Sequence, residues 1–292
     1  MSKFIKFSGV MVIPLLLILL AQNIGRAQRG AVLVYIASDS GIQRLLLLDM
    51  QTGITQRFYG GSSGVTALSF AITSDGQRIA VLASSAGGFD TYIAILDLAG
   101  RELTRISNPY AYFSAPLWFS DGETLLIVVY GTTTQIYSVN IAAPNDWTPL
   151  PHQPEIHEQF FDMQMSADGQ RVLFRSGSDE ICIMNSDGGR RRCLTQFAYT
   201  PVWAPGGESI TFTRYDAQGR PRLYLRALDS AIEAPLAVTA ELQAFDAAWS
   251  PNGRALAFIA AYDLWQVNAD GTGLRRLTAT PLIDETMPRW LP

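Results

Sequence analysis

The amino-acid sequence predicts an all-β fold, a closed ring of six four-stranded blades. Three observations point there: a block recurring about every 44 residues, strand-period alternation with turn signals inside each period, and two chain ends that each hold an incomplete blade. The leading residues of the block are Ile72, Trp118, Met165, Trp203, Trp249 and Trp290, at spacings of 46, 47, 38, 46 and 41 residues. The full copies read ITSDGQRIAVLA, WFSDGETLLIVV, MSADGQRVLFR, WAPGGESITFTR and WSPNGRALAFIA, and a sixth begins at Trp290 and stops at Pro292. That period suits a β-propeller blade and is too long for leucine-rich, ankyrin or tetratricopeptide repeats.

The elements follow in order within each period. After the glycine turn, apolar and polar residues alternate, as in Ile210-Thr211-Phe212-Thr213, which is the two-residue period of a strand. A further strand follows, for example Tyr92 to Leu96, Gln135 to Val139, Arg222 to Leu225 or Leu264 to Val267. Turns such as Asn185-Ser186-Asp187-Gly188-Gly189 and Asn268 to Gly273 supply residues that tolerate the positive φ of tight hairpins. A short outer strand ends the period, as in Arg191 to Thr195 and Arg275 to Thr278. Ala31 to Phe58 holds three strands with no innermost one, and Glu285 to Leu291 is an innermost strand with nothing after it. Pairing the last strand into the first blade closes the ring and leaves no open edge at the junction.

Composition excludes other classes. Hydrophobic residues are 48% and charged residues 16% of the 292, which argues against disorder. The net charge of -4 offers no basic field for a nucleic-acid backbone, and 24 Gly with 15 Pro is too few for a collagenous or low-complexity chain. Lys3 and Lys6 precede an apolar run from Val10 to Leu20, and Gly25-Arg26-Ala27 places small residues at the -3 and -1 positions of a cleavage site. The run is short of the ~20 residues that span a bilayer, so residues 1–27 read as an export signal, or an N-terminal anchor if uncleaved, ahead of a single propeller domain at 28–292. Without residues 1–27 the chain carries 19 basic and 26 acidic residues, net -7. The expected location is the periplasm or the extracellular space, with the membrane engaged only through that segment.

The blocks WSPNGRALAFIA and WFSDGETLLIVV, the Leu-Thr pairs that end blades (Leu194-Thr195, Leu277-Thr278) and the strand from Tyr92 to Asp97 resemble the WD-like propeller repeats of the TolB family. The resemblance spans roughly residues 31–292 and implies a six-bladed propeller that recognises a protein in the cell envelope. TolB carries an α/β domain ahead of its propeller, and only about 30 residues precede the first strand here, so that domain is expected to be lacking.

Several residue sets offer candidate chemistry. Cys182 and Cys193 are the only cysteines, and with Asp187-Gly188 as a two-residue turn they face each other on neighbouring strands. In an oxidising compartment this favours a structural disulfide over two small buried thiols. Gly60 to Gly64 satisfies G-x-S-x-G, but it lies between strands rather than at a strand-to-helix elbow. His152, Glu155, His157, Glu158 and Asp162 form the one cluster of metal-capable groups. Its Pro151 and Pro154 flanks place it on an irregular loop, so His152, His157 and Asp162 are weak metal candidates against a solvated inter-blade loop. The Asp-Gly turns lack the spacing of a calcium loop. Arg190-Arg191-Arg192 blocks an outer edge, and the repeated tryptophans pack between blades.

No cofactor is expected. The loops on one face gather Tyr110, Tyr112, Tyr199, Arg214, Tyr215, Asp216, Asp284 and Glu285, aromatics mixed with charges as protein recognition favours. The sequence therefore points to an exported, monomeric, non-enzymatic interaction module with a protein or peptide partner in the envelope. The alternative is a propeller-type lyase or hydrolase acting on a sugar or peptide through residues 152–162.

Overall fold

The computed structural model describes residues 32–60, 64–85, 90–107, 112–155, 158–236, 241–280 and 283–292. They form six antiparallel sheets of strands and, among the described residues, no helix. None is therefore long and apolar enough to cross a membrane. Blade 1 holds β1 (Val32–Asp39), β2 (Ile42–Asp49), β3 (Thr55–Gly60) and the last strand, β25 (Asp284–Trp290). Blade 2 is β4 (Thr66–Ile72), β5 (Arg78–Ser84), β6 (Thr91–Asp97) and β7 (Glu102–Ser107). In blade 3, β8 (Tyr112–Phe113) and β9 (Leu117–Trp118) share the innermost place beside β10 (Thr124–Tyr130), β11 (Thr134–Asn140) and β12 (Trp147–Pro149).

Blade 4 is β13 (Phe160–Met165), β14 (Arg171–Ser176), β15 (Glu180–Asn185) and β16 (Arg192–Gln196). Blade 5 is β17 (Tyr199–Trp203), β18 (Ser209–Tyr215), β19 (Pro221–Ala227) and β20 (Glu233–Pro235). Blade 6 is β21 (Phe245–Trp249), β22 (Ala255–Ala260), β23 (Asp263–Asn268) and β24 (Arg275–Arg276). The ring closes as the end of the sequence suggests, with β25 pairing β1 through Leu33 to Trp290 and Ala37 to Glu285.

Blade packing follows from strand alternation. Val32, Val34 and Ile36 of β1 pack toward blade 2 with Ile79 and Val81, while Leu33, Tyr35 and Ala37 pack toward blade 6 with Ala257 and Ile259. A strand covered on both faces needs apolar residues at every position, which is why β22 reads Ala-Leu-Ala-Phe-Ile-Ala and is buried throughout. The split in blade 3 has a local cause. Pro116 has no amide hydrogen to donate to a ladder, and the Ser114 hydroxyl accepts the Val128 N–H in its vicinity.

The tryptophans hold neighbouring blades by hydrogen bonds as well as by area. Trp118 Nε1 donates to the Ala71 carbonyl of blade 2, Trp203 to Gln164 of blade 4, and Trp290 to Ala248 of blade 6, at 3.2, 3.3 and 3.0 Å. Trp249 donates at 2.9 Å to the Thr211 hydroxyl of blade 5. Each indole thus joins the inner end of its own blade to the preceding one.

Because the innermost strands of blades 2 to 6 are each followed by a tight turn, the ring has two unlike faces. One carries the turns between first and second strands and those between third and fourth, and is called here the turn face. The other carries the turns between second and third strands and the blade-to-blade connections, and is the loop face. On the turn face the recurring Ser/Thr-x-Asp/Asn-Gly is a hydrogen-bonded unit. The hydroxyls of Thr73, Ser166 and Ser250 accept the N–H of the fifth residue onward, and each donates to Asp75, Asp168 or Asn252.

The hairpin holding the cysteines departs from a two-residue turn. Asn185 N–H donates to the Gly189 carbonyl, which makes Ser186, Asp187 and Gly188 a three-residue loop, and Arg190 then adopts a left-handed φ of 50°. The extra residue at 190 restores the offset, so Ile183 faces Arg192 and Cys182 faces Cys193. The two sulfurs are bonded.

Candidate functional site: the loop-face mouth of the central channel

The innermost strands β13, β17, β21 and β25 each contain a bulge next to the channel, with Asp162, Thr200, Asp246 and Met287 at φ of 50, 45, 48 and 54°. A bulged residue loses its ladder partner and turns its N–H sideways. Here that N–H crosses to the preceding blade. Thr200 N–H donates to the Asp162 carboxylate, Asp246 N–H to the Thr213 hydroxyl and Met287 N–H to the Asp246 carboxylate. Three successive blade junctions are thereby tied around the channel by polar contacts.

Asp246 is buried, and burial raises its carboxyl against the opposing pull of Arg289 and the Met287 N–H. Arg289 lies 3.9 Å from Asp246, and burial lowers its guanidinium from the ordinary value.

Above these groups, at the mouth, Arg175 organises blades 4 and 5. Its Nε donates to Asp162 at 3.0 Å and its Nη1 to Asp179 at 2.7 Å. Its guanidinium lies 4.5 Å from the centre of the Phe161 ring and 5.4 Å from that of Tyr199, so one cation supports two rings. Tyr199 donates its hydroxyl to Asp179 and meets Tyr215 edge-on at 5.5 Å. Burial, together with the Asp179 charge, holds the Tyr199 phenol above its ordinary value. Around this group the loop face exposes Tyr112 (65%), Phe197 (69%), Tyr215 (52%) and Tyr262 (68%), with part of Phe161.

The residues singled out from sequence separate into three sets. Tyr112, Tyr199 and Tyr215 stand at the mouth or on the surrounding face, and Asp284 is exposed at the start of β25. Arg214 and Asp216 are engaged within the protein. Arg214 bonds Glu233, Thr195 and the Gln196 carbonyl, which makes it a strut between blades 4 and 5. Asp216 accepts the Arg220 N–H first among several contacts, including Arg222, and these bring its carboxyl down to about 2.

Glu285 corrects the reading that placed it on the surface. It is 2% exposed, and its oxygens accept the Leu264 N–H and the hydroxyls of Thr278 and Thr280, so it fastens blade 1 to blade 6. Tyr110 and His157 lie outside the described residues.

Among the described residues the metal-capable cluster does not converge. His152 faces Asp187 at 3.6 Å beside the blade 4 hairpin, whereas Asp162 is turned to Arg175 and Thr200 at the channel. Among the described residues the one set of three close ligand atoms is Glu180, Cys182 and Cys193. Phe161, Arg175, Asp179, Phe197 and Tyr262 were not singled out from the sequence. Arg175 and Asp179 carry the one available signal, two charges at the loop-face end of a blade's middle strands.

The fold and mouth define a closed six-bladed propeller whose loop face exposes aromatic rings on blades 3 to 6. Its repeats and its shape are TolB-like. The Tol-Pal system protein TolB of Anaeromyxobacter dehalogenans is 34% identical over 121 residues, 39% of this chain and 27% of that protein, so the match spans about a quarter of that relative. The uncharacterized protein Atu1656 of Agrobacterium fabrum is 25% identical over 221 residues, 70% of each chain. The crystal structure of TolB from Acinetobacter baumannii superimposes with a TM-score of 0.68 at 17% identity, over 91% of this chain and 68% of that one. An oligogalacturonate lyase in complex with manganese shares the fold at a TM-score of 0.53 and 14% identity, over 85% of this chain and 73% of that one. No family model matches the chain.

Proposed function

We propose that this protein is an exported, non-enzymatic interaction module that captures a protein partner of the cell envelope on its loop face. The observation that carries the reading is the set of exposed aromatic rings, Tyr112, Phe197, Tyr215 and Tyr262, which among the described residues lie on one face. Large rings offer contact area with few rotatable bonds, and residues of this kind dominate binding energy at interfaces. The Arg175 group beneath is already charge-matched and fixed, which limits the ordering cost of binding. TolB-like repeats support a partner of the envelope type, and the leader-like residues 1–27 support export.

A lyase or hydrolase built on residues 152–162 finds less support, because His152 and Asp162 serve different contacts. The test is capture from an envelope extract by residues 28–292, with Tyr112→Ala and Tyr215→Ala combined. Capture should fall by at least about tenfold with an unchanged melting temperature. Undiminished capture would show that another surface is used.

A further inference from the structure

Away from the mouth, a cleft of about 820 Å³ opens on the flank of blade 4, between strand β16 and the connection leaving blade 3. Its wall includes Glu180, Cys182 and Cys193. We propose that reduction of the Cys182–Cys193 bond turns this wall into a site for a soft divalent cation of the zinc type, held by two thiolates and the Glu180 carboxylate.

The geometry supplies the ligands. Glu180 and Cys182 are two residues apart on β15 and share a face, and Cys193 is the direct partner of Cys182 on β16. One carboxylate oxygen and the two sulfurs all lie within 4.8 Å of one another. Glu180 is held on this side by the Gln196 side-chain amide alone among its recorded side-chain contacts, so turning the carboxylate disturbs little. Zinc takes sulfur and carboxylate ligands in tetrahedral array, and a fourth position facing the open cleft is left to water. Arg190, Arg191 and Arg192 line the same cleft with Glu155 and Glu158; Arg191 is paired with Glu158, and Arg190 and Arg192 offset part of the negative charge that the ligands bring.

The chemistry balances with a dithiol reductant. Its thiolate attacks the sulfur of Cys193, the more exposed of the two residues, the S–S bond breaks and Cys182 leaves as thiolate. The reductant's second thiol then displaces Cys193, so the reductant is oxidised to its own disulfide as the protein gains two thiols. Cation binding releases the remaining two thiol protons.

The exchange has a structural consequence. Leu194, Thr195 and Gln196 on β16 accept hydrogen bonds from Arg226 and Arg214 of blade 5. A cation bridging Cys182 and Cys193 keeps β16 pinned to β15, so this inter-blade contact survives in both redox states.

The full chain is reduced, desalted without oxygen and titrated with zinc against a chromophoric chelator, with cobalt as a spectroscopic substitute. The reduced chain should bind about one equivalent of zinc and show a thiolate-to-cobalt charge-transfer band, and the oxidised chain should do neither. Cys193→Ser should abolish binding, and Glu180→Gln, which keeps both thiols and the strand pairing, should weaken it by about tenfold. Circular dichroism and tryptophan emission report the fold of each sample. The proposal is overturned by a folded, reduced chain that binds no more zinc than the oxidised one, by binding that persists in Cys193→Ser, by equal affinity in Glu180→Gln, or by unfolding on reduction.

Discussion

The two faces of the ring are made from the same repeat and treat it in opposite ways. On the turn face the chain satisfies itself. Asp75, Asp121 and Asp168 all sit in turns there, and although burial works to raise the first two, hydrogen bonds from Thr73 and Thr124 and from backbone N–H groups outweigh it. Asp168 is lowered first by the Ser166 hydroxyl. On the loop face rings are left uncovered, with Tyr112, Phe197, Tyr215 and Tyr262 largely exposed. Stability is invested in one face, and the other is left available for contact. The exposed large hydrophobics of the turn face, Ile54, Leu103, Ile232 and Leu274, are aliphatic and scattered along outer strands and turns.

The largest effect of substitution belongs to neither face but to the seam that closes the ring. Trp290 is buried and donates to Ala248 across the junction of blades 1 and 6. Trp290→Ala should cost about 3–5 kcal/mol, the range for emptying a buried aromatic site. Denaturant unfolding followed by circular dichroism measures it. A cost below about 1 kcal/mol would mean that the seam contributes little to stability.

The next effect separates tight turns from loose ones. Gly188 and Gly271 both hold left-handed φ, at 86 and 84°, so alanine at either should cost about 1–2 kcal/mol from backbone strain. At Gly188 a β-carbon would also collide with the His152 carbonyl oxygen, whereas at Gly271 nothing lies within 4 Å. Gly188→Ala should therefore exceed Gly271→Ala by a further amount on the order of 1 kcal/mol or more. Equal melting temperatures for the two variants would show that the connection after blade 3 moves aside freely.

A smaller, pH-dependent contrast sets the turn face against the seam. Asp168 is lowered in the folded chain, so its contribution is present above the ordinary carboxylate range and is lost as pH falls through its depressed value. Glu285 runs the other way. Burial raises it against the bonds from Thr278 and Thr280, so the folded state holds its proton more tightly than the unfolded chain does. Its contribution is present in acid and is lost as pH rises through the raised value. Glu285→Gln should remove part of the stability decline on the neutral side, while Asp168→Asn should remove part of the decline on the acid side. Asn252 already occupies the position of Asp168 in the blade 6 turn, so the second substitution preserves a turn the protein itself uses. Thermal melts across the pH range distinguish the two, and parallel pH profiles would contradict the assignment.

Legibility in sequence divides along similar lines. The turn blocks and tryptophans were readable because each blade needs the same hydroxyl-carboxylate turn and the same buried strand, so the pattern repeats. The register of Cys182 and Cys193 was readable too, although it is reached through a three-residue loop and a left-handed Arg190 rather than a two-residue turn. The bulges at Asp162, Thr200, Asp246 and Met287 were not, because a single extra residue leaves no mark in an alternating strand and is fixed by hydrogen bonds to another blade. Glu285 looked like a surface residue in Asp284-Glu285-Thr286, yet strand alternation turns it inward against Thr278 and Thr280. Arg175 and Tyr199 share a site only because two blades meet, and no spacing along the chain announces that.

The smallest effect is the one that most sharply separates the two faces. Phe197 and Tyr262 are exposed on the loop face, Phe197 between blades 4 and 5 and Tyr262 at the tip of the blade 6 middle strands, at left-handed φ of 53 and 69°. Large side chains in that conformation are disfavoured unless something other than stability retains them. Replacing either by Asn, which accepts left-handed φ more readily, should leave stability within about 0.5 kcal/mol or raise it slightly. The same variants should weaken partner capture, because they remove rings from the exposed set without disturbing Arg175 or the channel. A stability loss above about 1 kcal/mol would assign these rings to packing and would undo the contrast between a self-satisfied face and an available one.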